Sequence, residues 1–256
     1  MIAAPSQVQI ATESLVHARR TGQPASTAKA ELSDAAGAYA VQDAVAQQMR
    51  WFSDGPARYW KSGGPSRAAV LTHAALPPEG VWASPADARA WPFRLRGIEA
   101  EIALRLACDV DPERASAIDA DEADQLIDAM CVSIEIVDSR WIEGLDAPAM
   151  AKLADLQSHG ALVLGSWLPF SRRDWSAQEC RVRIGAQAAV ERRGSHAMAD
   201  PLFVVPAWLR HMTRSGRSVA QGTVVTTGTW VGILHAVAGD LVTAEFPGVG
   251  EASVQL

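Results

Sequence analysis

Cysteine and long apolar runs are both scarce in this sequence of 256 residues. Its three cysteines are an odd number without Cys-x-x-Cys spacing, which argues against a disulfide framework and against a thiolate zinc site. No segment approaches the roughly 18 apolar residues of a membrane-spanning helix, and residues 1–10 lack the basic and apolar regions of a signal peptide. We therefore expect a soluble cytoplasmic protein with buried, reduced thiols at Cys108, Cys131 and Cys180.

Basic residues are too few to give the protein a positive surface. The 23 lysines and arginines are outnumbered by 29 aspartates and glutamates, so the formal net charge is -6 at pH 7. Nucleic acids and anionic membranes attract proteins with a basic surplus, and both are therefore poor candidates for partners. A small metabolite is the better expectation.

Lysine itself occurs only three times, which draws attention to Lys61. Tyr59 and Trp60 precede it, and a Gly-Gly-Pro turn follows at residues 63–65. One interpretation is a surface lysine whose aliphatic stem covers apolar side chains. The other is a lysine in a strand that ends at a pocket, where it would donate a proton or bind a carboxylate. Nearby apolar rings would then make its ammonium group easier to deprotonate.

The apolar content of 48% is ordinary for a globular protein, and neither a repeat nor a flexible linker divides the chain. We expect a single domain, with an N-terminal helical layer at residues 1–55 and a β-rich core at residues 56–256. The layer should contain two helices separated by residues 21–26, the second of them capped by Ser33. Packing or oligomer formation is the expected role of this layer.

Acidic residues alternate with apolar ones in the strand predicted for Gly97–Leu106. Glu99 and Glu101 lie on one face of this strand, and its branched aliphatic residues lie on the other. A half-solvated strand with its carboxylates in water would explain the pattern. Two carboxylates on one face can also share a hard divalent cation, and without a cation each would raise the pKa of the other.

A third carboxylate is expected in the middle of another strand. Apolar spacing predicts a helix over residues 121–130, and the alternation that follows predicts a strand over residues 131–138 with Ser133 and Glu135 on one face. Arg140 comes just beyond this strand, where its guanidinium group could bind an anion.

Two turns offer further polar groups. Ser158 and His159 lie between a short helix and a strand, but a serine-hydrolase triad is disfavoured because no nucleophile-elbow sequence surrounds them. The turn at residues 226–228 offers hydroxyl and backbone N–H groups to an anion. His73 lies between apolar neighbours and is predicted to be a structural histidine rather than a ligand.

These features occur in the order found in one known family, and the similarity spans nearly the whole chain. The sequence resembles the 2-keto-4-pentenoate hydratase and 4-oxalocrotonate decarboxylase group of the fumarylacetoacetate hydrolase superfamily. Six segments in the same order carry the resemblance: Lys61, Gly97–Glu101, Ile134–Arg140, Ala154–Gly160, Val225–Thr229 and Gly239–Asp240.

The resemblance implies an α+β fold, in which a mixed, strongly curved β-sheet forms a pseudo-barrel with helices outside it, and an assembly into homo-oligomers. It implies a site for Mg²⁺ or Mn²⁺ in the mouth of the barrel, with Glu99, Glu101 and Glu135 as the metal ligands. The remaining site residues that it implies are Lys61 as the catalytic lysine, Ser158, Thr227, Gly228 and Arg140 as substrate contacts, and Asp155 as catalytic support.

The implied reaction adds water to 2-hydroxypenta-2,4-dienoate, or a close analogue, to give a 4-hydroxy-2-oxo acid in the catabolism of aromatic-ring cleavage products. Decarboxylation of a 4-oxalocrotonate-type acid, C–C hydrolysis of an acylpyruvate and a non-catalytic role beside an active partner subunit are alternatives. Association with a decarboxylase or hydratase of the pathway is a further expectation. A hydrolase often uses a histidine paired with a carboxylate, and the six histidines form no obvious pair in the sequence.

Three positions depart from the family pattern. Trp60 and Ser62 flank Lys61, where a glycine and a hydrophobic residue are common, and Leu156 stands where an asparagine often follows the motif aspartate. We expect the two flanking residues to reshape the pocket around Lys61, and the loss of a polar group at Leu156 to alter the substrate details or the reaction subtype.

Overall fold

The computed structural model describes residues 5–256, and in that range it contains five α-helices and 14 strands. The helices are α1 (Gln7–Thr21), α2 (Ala35–Met49), α3 (Pro112–Ala117), α4 (Ala149–Ala154) and α5 (Val205–Thr213). The strands are β1 (Tyr59–Gly63), β2 (Thr72–Ala75), β3 (Val81–Ala83), β4 (Ala86–Asp87), β5 (Gly97–Leu106), β6 (Ile127–Val137), β7 (His159–Leu164), β8 (Leu168–Pro169), β9 (Glu179–Ile184), β10 (Val190–Arg193), β11 (Val224–Thr226), β12 (Leu234–His235), β13 (Leu241–Phe246) and β14 (Gly250–Gln255).

The larger sheet is mixed and is organised around β5 and β6, its two longest strands. Its strand order is β2-β1-β11-β5-β6-β7-β3, and β12 and β8 pair with β5 and β6 outside this path. The pairs β1·β11 and β3·β7 are parallel, and the other pairs along the path are antiparallel. The alternation along β5 and β6 gives each of these strands one continuous apolar face.

The smaller sheet packs against that apolar face. Its strand order is β10-β9-β13-β14-β4. Phe246 of β13 and Val254 of β14 share a buried core with Ile102 of β5 and Ile134 of β6. The opposite face of β5 and β6, which carries the glutamates, is therefore turned away from the smaller sheet.

The N-terminal helices lie on the glutamate side of the larger sheet. Leu15 of α1 and Val41 of α2 share a second core with Ala103 of β5 and Cys131 of β6. The cap of α2 differs by one residue from the prediction. Asp34, not Ser33, caps this helix, because the Asp34 carboxylate accepts a hydrogen bond of 2.8 Å from the Gly37 N–H.

Two further predictions are wrong. No helix forms over residues 121–130: a single 3-10 turn spans Ala123–Leu126, and the residues from Ile127 onward pair with β5. Apolar side chains spaced three and four apart fitted a helix, but the hydrogen-bonded ladder of β5 and β6 decides the conformation. Cys108 is exposed, since it follows β5 outside the core, whereas the other two cysteines are buried free thiols.

The expected fold class is confirmed. Helices surround a mixed, curled half-barrel sheet, and a smaller antiparallel sheet with one parallel edge strand closes its apolar side. None of the helices described over residues 5–256 is long and apolar enough to cross a membrane.

The close approach of the two sheets at Gly165 predicts a destabilising substitution. A Cβ atom here would lie 2.5 Å from the Glu251 carbonyl oxygen of β14 and 3.0 Å from the Val132 carbonyl oxygen of β6. Gly165→Ala must therefore shift the backbone, and we expect it to lower the free energy of unfolding by about 1 to 3 kcal/mol. Chemical denaturation measures the change.

Gly37→Ala, in α2, is the matched control. The nearest atom to its added Cβ would be Asp34 Oδ1 at 3.4 Å, an ordinary contact, and alanine is favoured over glycine in a helix by up to about 1 kcal/mol. Unchanged stability of Gly165→Ala would contradict the close approach of the sheets.

Candidate metal centre

Antiparallel pairing of β5 with β6 places three glutamates on one face of the larger sheet. Glu99 is directly opposite Glu135, and Glu101 is opposite Ser133. Side chains that are opposite or diagonal to each other on one face of such a pair are close enough to interact. The two acidic segments predicted from the sequence therefore form one cluster.

This cluster is compact and largely buried. One oxygen from each carboxylate can be chosen so that all three lie within 4.8 Å of one another. Glu135 is 0% exposed and Glu101 is 2% exposed, while Glu99 is intermediate. The alternative of a half-solvated strand with its carboxylates in water is therefore wrong.

Burial and repulsion oppose ionisation of the cluster. Burial, with the charge of Glu135 adding to it, raises the pKa of Glu99 to about 8 and of Glu101 to about 7. Burial acts on Glu135 in the same direction, but the Lys61 ammonium group and His159 outweigh it and lower the pKa of Glu135. Like charges directly opposite each other in a sheet are destabilising, so this arrangement favours a bound cation.

Lys61 supplies one positive charge from β1. Its Nζ lies 2.6 Å from Glu135 Oε1 and donates a longer hydrogen bond, of 3.3 Å, to the Gln157 carbonyl oxygen. The side chain is 12% exposed, so it is not a surface lysine. Burial lowers the pKa of Lys61, but the three glutamates outweigh burial and raise it. The prediction that apolar rings ease its deprotonation is therefore wrong, because the acidic neighbours dominate.

The donor set fits a hard divalent cation. Within the described part of the chain, Glu135 Oε2 is buried and has no hydrogen-bond partner, so this oxygen is available to a ligand. The three carboxylates offer only oxygen, which suits Mg²⁺, Mn²⁺ and Ca²⁺ rather than ions that select thiolates. A bound cation would also offset the repulsion that raises the pKa values of Glu99 and Glu101.

The turn after β11 holds one of the three glutamates. Glu101 Oε2 accepts a hydrogen bond from the Thr226 hydroxyl group and another, of 3.0 Å, from the Gly228 N–H. Thr227 is fully buried and donates its hydroxyl group to the Ile102 carbonyl oxygen at 2.8 Å. The anion that this turn binds in the structure is thus a carboxylate of the protein itself.

A left-handed turn precedes β7 and reaches Lys61 through the Gln157 carbonyl oxygen. Leu156, Gln157 and Ser158 have φ angles of 54°, 56° and 58°, a conformation that costs energy in non-glycine residues. The Ser158 N–H donates to the Asp155 carbonyl oxygen at 3.0 Å. Among residues 5–256, the buried Gln157 Oε1 and Ser158 Oγ find no hydrogen-bond partner. The strained turn therefore presents two polar atoms that a ligand could engage.

The three residues that depart from the family pattern all pack against the interior of the protein. The Ser62 hydroxyl group is buried 2.9 Å from His73 Nδ1, so His73 is a structural histidine, as predicted. Leu156 belongs to the core beneath the N-terminal helices, and Trp60 packs against the core between the sheets.

Two arginines bind Asp155. Asp155 Oδ1 accepts hydrogen bonds from Arg19 Nη2 at 3.0 Å and from Arg140 Nε at 2.6 Å, and Oδ2 accepts one from the Arg140 backbone N–H at 2.9 Å. Arg140 Nη2 also donates to the Asp155 carbonyl oxygen. Nη1 is therefore the one guanidinium nitrogen of Arg140 that makes no hydrogen bond with Asp155. The predicted contact of Arg140 with a substrate would have to use this nitrogen.

Sequence reasoning missed two contacts of the cluster. His159 Nδ1 lies 3.0 Å from Glu135 Oε1, so the fold does bring a histidine and a carboxylate together. Ser133 Oγ lies 2.8 Å from the Thr226 hydroxyl group that binds Glu101. The strand alternation placed Ser133 on the correct face, and the turn before β7 offered His159 as a polar group, but nothing in the sequence paired His159 with Glu135.

Comparison with known proteins relates this chain to the family that its sequence motifs resemble. The family model described as "Fumarylacetoacetate (FAA) hydrolase C-terminal" matches residues 36–256. The 2-keto-4-pentenoate hydratase of Paraburkholderia xenovorans (strain LB400) is 29% identical over 161 residues, which make up 62% of this chain and 58% of that protein. The 2-keto-4-pentenoate hydratase 3 of Pseudomonas putida matches to the same extent. The chain thus spans less than two thirds of the length of these two relatives.

Solved structures share the fold at lower sequence identity. The 4-oxalocrotonate decarboxylase from Pseudomonas putida G7, complexed with calcium and acetate, has a TM-score of 0.82 at 19% identity, over 99% of this chain and 98% of that one. The 2-hydroxyhepta-2,4-diene-1,7-dioate isomerase from Mycobacterium marinum has a TM-score of 0.54 at 16% identity, over 78% of this chain and 73% of that one. With the family model matched over residues 36–256, the chain belongs to the fumarylacetoacetate hydrolase family, within which its motifs resemble the hydratase and decarboxylase group.

Proposed function

We propose that the protein is a divalent-metal-dependent hydratase that adds water to 2-hydroxypenta-2,4-dienoate, or a close analogue, in the breakdown of aromatic-ring cleavage products. The observation that carries the proposal is the buried cluster of Glu99, Glu101 and Glu135 with Lys61 beside it. The 29% identity to two proteins named as hydratases supports this reaction in particular.

Glu99, Glu101 and Glu135 would hold Mg²⁺ or Mn²⁺ and leave coordination positions open. The solved structures of 4-oxalocrotonate decarboxylase complexed with calcium and with magnesium support a divalent ion in a protein of this fold. When bound, such an ion stabilises the negative charge that develops on the substrate oxygen at C2.

Lys61 is the residue that we propose for proton transfer. Ketonisation of the dienol removes the proton of the 2-hydroxyl group and adds one to a terminal carbon, and hydration then adds a hydroxyl group at C4 and a proton at C3. Lys61 Nζ can donate and recover a proton in these steps. Its hydrogen bond of 2.6 Å to Glu135 Oε1 orients Nζ toward the carboxylate cluster.

Ser158 is the strongest of the predicted substrate contacts. Its hydroxyl group is buried and unpaired within residues 5–256, so it can bind a substrate carboxylate without losing an existing hydrogen bond. Thr227, Gly228 and Arg140 would first have to exchange hydrogen bonds that they make within the protein. We therefore propose Ser158 as the principal contact and the other three as secondary ones.

Asp155 would support the site through structure. Its carboxylate offsets the charges of Arg19 and Arg140, and its carbonyl oxygen accepts the Ser158 N–H at the end of the left-handed turn. Because the carboxylate is already bound by two guanidinium groups, proton transfer to a substrate is a poor role for it. We propose that it holds Ser158 in place.

Decarboxylation of a 4-oxalocrotonate-type acid is the second candidate. The observation that favours it is the likeness in fold to that decarboxylase over 99% of this chain. The same carboxylates would serve either reaction, because both develop negative charge on the oxygen at C2. His159 and Glu135 form the kind of histidine–carboxylate pair that a hydrolase often uses. An assay must therefore also test C–C hydrolysis of an acylpyruvate.

Removal of divalent ions with a chelator should abolish turnover, and Mg²⁺ or Mn²⁺ should restore it. Glu101→Gln and Glu135→Gln should each abolish metal-dependent turnover, because an amide is a poorer ligand than a carboxylate. Glu251→Gln, an exposed glutamate in β14, is the matched control and should keep full activity. Full activity of Glu135→Gln in chelator-treated buffer would contradict the proposed metal requirement.

The substrate is tested by following the ultraviolet absorbance of the conjugated dienol with hydroxypentadienoate and oxalocrotonate in turn. We expect metal-dependent loss of absorbance with hydroxypentadienoate, at the higher kcat/KM and without release of carbon dioxide. Faster turnover of oxalocrotonate with carbon dioxide released would favour the decarboxylase. Cleavage of an acylpyruvate would favour the hydrolase, and inactivity toward all three would indicate a non-catalytic subunit.

Asp155→Ala leaves two arginines partly buried without their shared partner. Breaking a buried ion pair in this way costs about 3 to 5 kcal/mol, so we expect a clear loss of unfolding free energy. Asp43→Ala, which removes an exposed partner 3.5 Å from Arg214, should cost less than about 1 kcal/mol. Equal effects of the two substitutions in denaturant unfolding would argue against a structural role for Asp155.

A further inference from the structure

His159 is the first residue of β7, and its side chain is buried against the glutamate cluster. The left-handed turn at residues 156–158 directly precedes it. The pairing of β7 with β6 also shifts register between Ile136 and Val137, and Val137 is the partner of His159. Irregularities of this kind redirect side chains in a sheet. Here they accompany an imidazole group that contacts Glu135.

The hydrogen bond between these two residues has a defined direction. Glu135 Oε1 also accepts a hydrogen bond of 2.6 Å from the Lys61 ammonium group, and a carboxylate bound in this way is ionised. An ionised carboxylate has no proton to donate, so the hydrogen of the 3.0 Å contact belongs to His159 Nδ1.

Glu135 is therefore held asymmetrically. Oε1 accepts from two donors, Lys61 Nζ and His159 Nδ1, whereas the buried Oε2 accepts from none in the part of the chain that the structure describes. A carboxylate with one oxygen occupied by two donors can offer only the other oxygen to a cation. Hydrogen bonds of this kind orient metal ligands in many proteins.

His159 makes no other side-chain hydrogen bond within residues 5–256. Its Nε2 is buried without a partner, although buried polar atoms are usually satisfied. The bond to Glu135 is therefore the polar interaction that the fold provides for this histidine. His159 occupies the unspecified position between the serine and glycine of the motif at residues 154–160, so the motif itself assigns this residue no role.

We propose that His159 is a positioning residue that blocks Glu135 Oε1 and thereby presents Oε2, as a single oxygen ligand, to the divalent cation. This inference rests on the proposed metal-dependent function. It assigns His159 no contact with the substrate.

Direct binding of Mn²⁺ to purified full-length variants tests the inference without a substrate. The amide nitrogen of asparagine can occupy the position of His Nδ1, whereas that of glutamine extends one bond further, toward the position of Nε2. We expect His159→Asn to bind Mn²⁺ within about threefold of the wild type, and His159→Gln to bind it about 10 to 100 times more weakly. Electron paramagnetic resonance of free Mn²⁺ gives the affinities, and circular dichroism checks that each variant is folded.

The relative Mn²⁺ affinities of the two variants distinguish a positioning role for His159 from a packing role. Glutamine is closer to histidine in volume, so a purely structural role predicts that His159→Gln binds Mn²⁺ at least as well as His159→Asn, and this result would overturn the inference. If His159→Gln does not fold, His159→Ala replaces it and the same loss is expected. Normal wild-type binding with no difference among variants overturns the inference alone. Absence of Mn²⁺ binding to the wild type overturns the metal centre and the inference together.

Discussion

Three carboxylates and one ammonium group lie together on the face of the larger sheet that is turned away from the smaller sheet. The negative charges outnumber the positive one, and this imbalance determines which interactions the surrounding residues must make. Glu99 and Glu135 are direct cross-strand neighbours, an arrangement that repels when both are ionised. Lys61 offsets one negative charge and contacts Glu135, while the pKa values of Glu99 and Glu101 rise to about 8 and about 7. A divalent cation would supply the missing positive charge through the ligand type that it prefers.

The remaining structure keeps this cluster in place. Packing of the smaller sheet on the apolar face of β5 and β6 fixes which side of those strands carries the glutamates. Thr226 and Gly228 bind Glu101 from one side. From another side, Gln157 in the left-handed turn contacts Lys61, and His159, directly after that turn, contacts Glu135. The buried pairing of Asp155 with Arg19 and Arg140 then joins that turn to α1. The N-terminal helical layer and the larger sheet thus both contribute to the geometry of the candidate metal centre.

Local periodicity explains which features could be predicted from the sequence. Strict alternation located β5 to the residue and placed Glu99, Glu101 and Glu135 on the correct faces, because a strand has only two faces. The helix predicted over residues 121–130 failed because its apolar spacing is also compatible with a buried strand. The pairing of His159 with Glu135, which are 24 residues apart, depends on strand register and on a left-handed turn, neither of which has a local signature.

The most direct test is anomalous diffraction from a crystal soaked in Mn²⁺, because it locates the ion without assuming a reaction. One anomalous peak is predicted within about 2.5 Å of an oxygen from each of Glu99, Glu101 and Glu135. Glu135 should contribute Oε2, with Lys61 and His159 still bound to Oε1. A peak elsewhere, or none at a concentration that saturates binding in solution, would contradict the assignment of this cluster as a metal centre.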